Sequence, residues 1–475
     1  MKVFGKGFAV LICLGMVLGV QAVSAQAAKT GTSISMVLEG SDSATANKLD
    51  ALYKGILADY EKVSGNKVEF VFVPDKDYRT WTVIQQAAGN LPEVSSTRLA
   101  WAWEDYDKGV VQSVDSFLAK ESPYAKGQKW GDTFVKSLMA QSVDPTSKSY
   151  VSVLRSVTAV RILYNRELFK KAGIAKEPTT WKEFMDACKK LQAVGVTPFA
   201  FAMQGGAQFT SWMLTTLFGQ LDKELRDIMD VDKDKMISKN ELARATDLNL
   251  IDFSKYPFKE GMALLKDFSK YWNKDFNAVD PKGAQQLWLT GRAAMMLAQV
   301  GDLVIVDSMQ GRNFTYGAIP LPMVTKSTHP QAMEMSVMLG GAANESWAIS
   351  KSAKGAKLDA AIDLAMYLTS PAIQGRLAKG AYTMPVLTNA ELPENLKGFT
   401  IRDNEDIRRS NYTGPVISNE FSSFITMSMQ LYLTDKTDIA THSAALNKEW
   451  KKAMAAAKTT ANWNEANNYD IKIKK

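Results

Sequence analysis

The sequence predicts an α/β fold divided between two lobes, and three observations carry that expectation. Between Ser33 and Val73 the apolar period switches from two to about 3.6 and back to two, which reads as strand, helix, strand. The pattern continues through "TWTVIQQAAGNLPEVSST" as a helix, a turn and a further strand, and repeats of this unit give a parallel sheet with helices on both faces. Finally, 475 residues, 46% hydrophobic and 23% charged, are globular in composition and too many for one typical core.

Taken in order, residues 1–27 read as a secretory signal peptide. Lys2 and Lys6 form a basic start, "FAVLICLGMVLGV" an apolar run, and "VSAQAA" offers cleavage after Ala25 or Ala27. That run is too short to span a bilayer, and no later segment approaches the roughly 18 apolar residues a spanning helix needs. Cys13 follows Ile12 where a lipoprotein site usually has a small residue, so no lipid anchor is expected and the mature chain is exported to the periplasm. Its remaining cysteine, Cys188, sits in the helix-like "WKEFMDACKKLQ", which rules out an intramolecular disulfide.

"SISMVL" places Ile34, Met36 and Leu38 on one strand face, followed by the turn "EGSDS". Leu49, Leu52, Tyr53, Ile56, Leu57, Tyr60 and Val63 then form the stripe of an amphipathic helix, and "VEFVFV" returns to strand. The net charge of +7, or +5 without Lys2 and Lys6, is spread along the chain, which disfavours a nucleic-acid partner.

Loops at the C-terminal ends of parallel strands usually hold the ligand in open α/β sheets. Two such loops are expected here: "EGSDS", and "LAWAWEDY", which carries Trp101, Trp103, Glu104 and Tyr106. Aromatic faces stack on sugar rings while carboxylates read hydroxyls, although each tryptophan also suits a core.

Six segments in order resemble the extracellular solute-binding proteins of carbohydrate ABC transporters, the branch that includes maltose-binding protein. They are "FVFVPDKDYRTWTVIQQAAGNLPEV", with Glu93 where the family more often has Asp; "RILYNRELFKKAGIAKEPTTWKEFMDACKKLQAVGVTPFAF"; "QLWLTGRAAMMLAQVGDL", lacking the common aromatic near Asp302; "FTYGAIPLP"; "MLGGAANESWAISKSAK"; and "AMYLTSPAIQGRLAKGAYTMPV". The resemblance implies a periplasmic-binding-protein fold, an α/β architecture of two lobes joined by crossing hinge strands that close on a ligand. Lobe 1 would comprise residues 28–157 and 342–388, lobe 2 residues 158–341 and 389–470, with crossovers near Ser156 to Val160 and Gly340 to Asn344.

Carried over by resemblance, the cleft would be lined by Glu39, Ser41, Asp42, Trp101, Trp103, Glu104, Arg155 and Thr158. Gln299, Asp302, Asn344, Glu345, Trp347 and Tyr382 would complete it. Arg155 could hold a carboxylate in bidentate fashion, which would suit a uronate sugar.

"DVDKDKMISKNE", Asp230 to Glu241, matches a calcium-binding EF-hand loop inserted in lobe 2. Asp230, Asp232, Asp234 and Glu241 supply the first, third, fifth and twelfth ligands, Met236 a backbone carbonyl, and Ser238 a water-mediated ninth position. "LDKELRDIM" and "KNELARA" read as the flanking helices. Lys235 occupies the sixth position, normally Gly because φ is positive there, at a cost on the order of 1 kcal/mol.

The expected function is capture of a sugar, an oligosaccharide for preference, and its delivery by a monomer to a membrane permease, with structural calcium and no catalysis. A secreted calcium-dependent carbohydrate-active enzyme and a binding protein feeding a sensory receptor are the alternatives. The two histidines, His329 and His442, lie in polar loop or helix-end contexts, and there is no Gly-x-Ser-x-Gly, His-Glu-x-x-His or Walker A motif.

Overall fold

In the computed structural model, the period-two apolar run becomes β1 (Ser33–Gly40), which pairs in parallel with β2 (Lys67–Pro74) and β3 (Val94–Arg98). The structure describes residues 31–472 apart from 41–44, 206, 341–342, 403–404, 408 and 415–416. The expected signal peptide and the cleft candidates Ser41 and Asp42 therefore lie outside the described residues. Among those described, no helix is long and apolar enough to cross a membrane.

β1 is buried on both faces, as a central parallel strand must be. Ile34, Met36 and Leu38 pack in one cluster with Tyr53, Ile56, Leu57 and Tyr60 of the helix Thr45–Ser64, while Val37 meets Val73 and Tyr78 on the other side. Each such buried apolar side chain is worth about 1.5–3 kcal/mol. Val63, expected in the helix stripe, lies in its last turn and is 67% exposed. The next helix starts at Asp75, directly after β2 and earlier than Thr80. It ends at Gly89, which adopts φ 70° as the "AAGN" turn predicts.

The remaining strands are β4 (Val153–Val157), β5 (Val160–Asn165), β6 (Thr197–Ala200), β7 (Ala293–Gln299), β8 (Tyr316–Ile319), β9 (Ser336–Val337), β10 (Ala343–Ile349) and β11 (Glu405–Asp406). Among the described residues the first sheet has the order β2-β1-β3-β10-β4, the second β6-β7-β5-β8, and β9 pairs with β11. In the second sheet β6 and β7 are parallel, whereas β5 runs antiparallel to β7 and β8. The helix Trp181–Ala193 forms as expected, opened by a Thr180–Glu183 capping box and burying Cys188.

The chain crosses from the first sheet to the second between β4 and β5, through Thr158 and Ala159. It crosses back after Gly340, whose φ is 68°. A Cβ on Gly340 would come within 2.5 Å of Val160 Cγ2 and 3.4 Å of Trp212 Cδ2. Glycine is thus required where the two connections pass.

Two sequence expectations are corrected here. "LAWAWEDY" is the helix Leu99–Asp107, not a loop, because Leu99, Ala102 and Trp103 share an i, i+3, i+4 face, from which Leu99 and Trp103 join the first core. His442 stands at a helix end, in the first turn of Ile439–Ala461, but is buried rather than at a polar surface: it stacks on Tyr432 at 5.0 Å, and its Nδ1 lies 2.7 Å from Ser428 Oγ.

Candidate ligand cleft

Because β1, β2 and β3 are parallel, their C-terminal ends fall on one edge of the first sheet. That edge presents Glu39 near the end of β1, Asp75 immediately after β2, and Arg98 as the last residue of β3. β10 and β4 extend the row, since Glu345 pairs with Arg98 on one side and Ser156 on the other. Facing this edge are Gln208 and Trp212, on the helix Ala207–Gly219 that follows β6, and Gln299, Val300 and Gly301 at the end of β7. With Thr158 and Tyr382 they line a cavity of about 680 Å³, a volume suited to a small-molecule ligand.

The cleft's charges are already paired with one another. Arg98 Nη2 donates to Glu39 Oε1 and Asp75 Oδ1, both at 2.6 Å, so one guanidinium nitrogen serves two carboxylates. Burial, and after it the hydrogen bond to Asp75, pushes the Glu39 carboxyl up to about 7 against the opposing pull of Arg98. Arg155 Nη2 donates to Glu345 Oε2 at 2.7 Å, and the Ser156 hydroxyl donates to the same oxygen.

A family model described as bacterial extracellular solute-binding protein matches residues 45–375. The chain belongs to that family. A curated relative, the sn-glycerol-3-phosphate-binding periplasmic protein UgpB of Brucella suis, is 27% identical over 56% of this chain and 61% of its own length. The chain spans between 29% and 61% of the length of the curated relatives it matches. Among solved structures, a chitin oligosaccharide binding protein has 18% identity and a TM-score of 0.64 over 90% of this chain and 100% of that one. The sugar-binding protein MalE from Xanthomonas citri has 15% identity and a TM-score of 0.67 over 91% and 100%. These likenesses establish the periplasmic-binding-protein fold, two lobes joined by crossing strands.

In this solute-binding protein the cavity gathers six of the residues expected in the cleft: Glu39, Arg155, Thr158, Gln299, Glu345 and Tyr382. The others stand elsewhere or have no described side chain. Trp101 and Trp103, two positions apart on a helix, face different ways. Trp101 stacks on Tyr78 at 6.5 Å and carries the Arg98 guanidinium at 4.6 Å, so it supports a cleft residue rather than lining the cavity. Trp103 packs against the first core, and Glu104 pairs with Arg79 and Lys108 on the surface. Asp302 accepts from the Gln299 backbone N–H at 2.8 Å and so holds the turn that presents Gln299, while facing a different depression. Trp347 is fully buried under the Arg155 guanidinium, 5.3 Å from it. Asn344 lies on β10.

Trp103→Ala is accordingly expected to cost about 3 kcal/mol in urea denaturation, as a core truncation does, while ligand affinity at temperatures where the variant is folded stays within about twofold of wild type. A loss of affinity without loss of stability would return Trp103 to the cleft.

Sequence reasoning missed Asp75, Arg98, Gln208 and Trp212. Asp75 and Arg98 stand at the C-terminal end of a strand, the signal that singled out the "EGSDS" and "LAWAWEDY" segments, whereas Gln208 and Trp212 stand on the helix Ala207–Gly219 well beyond β6.

The acidic loop has the expected flanks, with helices Lys223–Met229 and Lys239–Asp247. Lys235 adopts φ 69°, the conformation glycine usually supplies, and its N–H bonds Asp230 Oδ2 at 3.2 Å. One oxygen each from Asp230, Asp232 and Asp234 lies within 4.8 Å of the others, a hard donor set that fits a divalent cation. The ammonium of Lys148 pairs with two of these carboxylates, Asp232 and, at 3.1 Å, Asp234. Glu241 is buried and accepts from Val231 N at 2.7 Å and Ser238 N at 2.9 Å, capping the second helix.

Proposed function

We propose that this protein captures a saccharide, of oligosaccharide size, between its two lobes and hands it to the permease of an ABC transporter without breaking a bond. The observation that carries this reading is the meeting of strand ends from both sheets around one polar cavity with a tryptophan in its wall. Family membership and the sugar-binding names of the structural neighbours support it. Residues 28–157 with 342–388, and 158–341 with 389–470, are taken as the lobes. A ligand touching both would favour the closed arrangement by its differential affinity for it. Export to the periplasm after loss of residues 1–27, and action as a monomer without nucleic acid, complete the proposal.

Calcium is proposed as a structural cation in the loop, held by Asp230, Asp232, Asp234 and Glu241 with the Met236 carbonyl and Ser238, taking the place of the Lys148 ammonium. It would supply charge neutralisation and rigidity away from the ligand. Glu241→Ala is a poor probe of this, because loss of its capping bonds destabilises the helix with or without metal. Asp234→Asn and Lys148→Met separate the two roles.

A thermal-shift screen of the mature protein against oligosaccharides, each with calcium and with chelator, tests both readings. One saccharide class should raise the melting temperature. Calcium should raise the baseline in wild type, more so in Lys148→Met, and not in Asp234→Asn. A baseline indifferent to calcium in all three proteins would overturn the metal reading and leave the Lys148 ammonium as the partner of Asp232 and Asp234, and no response to any sugar would overturn the saccharide reading.

A further inference from the structure

The cavity contains charged groups of both signs, but their pairing is asymmetric. Among the described lining residues, three carboxylates, Glu39, Asp75 and Glu345, face two guanidiniums, Arg98 and Arg155. Neither arginine is free. Arg98 spends one nitrogen on both Glu39 and Asp75, and Arg155 is held by Glu345 while its face lies over Trp347. No lysine or histidine lines the cavity among the described residues. An anionic ligand reaching either guanidinium would therefore meet a cation whose charge a carboxylate already offsets, with that carboxylate beside it in the same cavity.

Resting on the saccharide reading above, we propose that the cleft is charge-selective: it takes saccharides that are uncharged or carry a protonated amine, and it excludes uronates and sugar phosphates. The hydroxyl and amine donors of such ligands meet a wall rich in acceptors, namely the carboxylates of Glu39, Asp75 and Glu345. The suitability of Arg155 for a uronate, expected from the sequence, is lessened because its Nη2 already pairs with Glu345. The raised Glu39 carboxyl, pushed up first by burial and then by its hydrogen bond to Asp75, agrees with this balance.

The test is isothermal titration of the full mature chain with matched trisaccharides, neutral (maltotriose, xylotriose, N-acetylchitotriose), amine-bearing (chitosan trimer) and acidic (trigalacturonate), and with sn-glycerol 3-phosphate as a phosphate probe. At least one neutral or amine-bearing trimer should bind at least a hundredfold more tightly than trigalacturonate or the phosphate. Glu345→Gln, which removes the charge paired with Arg155, should narrow that ratio at least tenfold by improving the acidic ligand. Residual trigalacturonate binding should weaken as pH rises through about 7, because Glu39 then takes on its charge. Binding of trigalacturonate or the phosphate as tightly as the best neutral trimer would overturn charge selectivity and leave the saccharide or solute reading standing. An unchanged ratio in Glu345→Gln would overturn it as well. Binding of no saccharide at all would overturn the saccharide reading, and this proposal with it.

Discussion

Trp212→Ala is expected to weaken saccharide binding by about thirtyfold, or about 2 kcal/mol, and to leave the unliganded fold nearly as stable as wild type. Among the described residues Trp212 is the one tryptophan lining the cavity, and it is only partly buried. Its position is fixed from two sides: Phe209, one helical turn earlier, meets its ring edge-on at 5.7 Å, and the backbone at Gly340 passes behind it. A ring held in this way loses little side-chain freedom on binding, so most of its stacking energy is kept. Trp212→Phe should recover part of the loss, because a smaller aromatic face remains. Titration calorimetry with the best saccharide, alongside calorimetric unfolding of the free protein, separates the two effects. Wild-type affinity in Trp212→Ala would remove the aromatic wall from the binding site. A collapse of stability together with affinity would make Trp212 a core residue.

The contrast between Trp212 and Trp103 shows where the sequence was readable. The succession of β1, the helix Thr45–Ser64 and β2 follows from changes of apolar period that side-chain geometry imposes, and these were legible residue by residue. Trp103 was misplaced because "LAWAWEDY" satisfies a loop reading by its position after a strand and a helix reading by its spacing. In a loop two tryptophans two apart can face one ligand, but in a helix they cannot. Trp212 went unnoticed for the opposite reason: "FTSWMLTTLF" is apolar nearly all round and reads as core, and only the packing of the second sheet leaves one side of it facing the cleft. The acidic loop was legible as a loop, since its donors lie within twelve consecutive residues. Its counter-charge was not, because Lys148 stands 84 residues before Asp232 and nothing local announces the pairing. Arg155 and Glu345, 190 residues apart, could each be suspected of binding ligand, but not of binding each other.

A second long-range pair should have the largest effect on stability. Glu405→Ala is expected to cost about 3–5 kcal/mol. Arg161, on β5 just past the first crossover, is fully buried and meets Glu405 in a bidentate pair, with both Nη1–Oε1 and Nη2–Oε2 at 2.8 Å. The same guanidinium donates to the carbonyls of Gly398 at 3.2 Å and Thr400 at 2.7 Å, so it ties the segment leading to β11 against the second sheet. Removing Glu405 leaves those carbonyls satisfied but strands a buried positive charge whose anion is gone, and desolvation dominates the cost. Replacing both members, as in Arg161→Met with Glu405→Leu, removes the stranded charge. The double variant should therefore be more stable than Glu405→Ala, falling short of wild type chiefly by the four carbonyls, of Val160, Gly398, Phe399 and Thr400, that lose Arg161 as donor. Urea unfolding of the three variants measures this. If the double variant were as unstable as the single one, the pair's contribution would lie in holding the Gly398–Thr400 carbonyls rather than in compensating a buried charge.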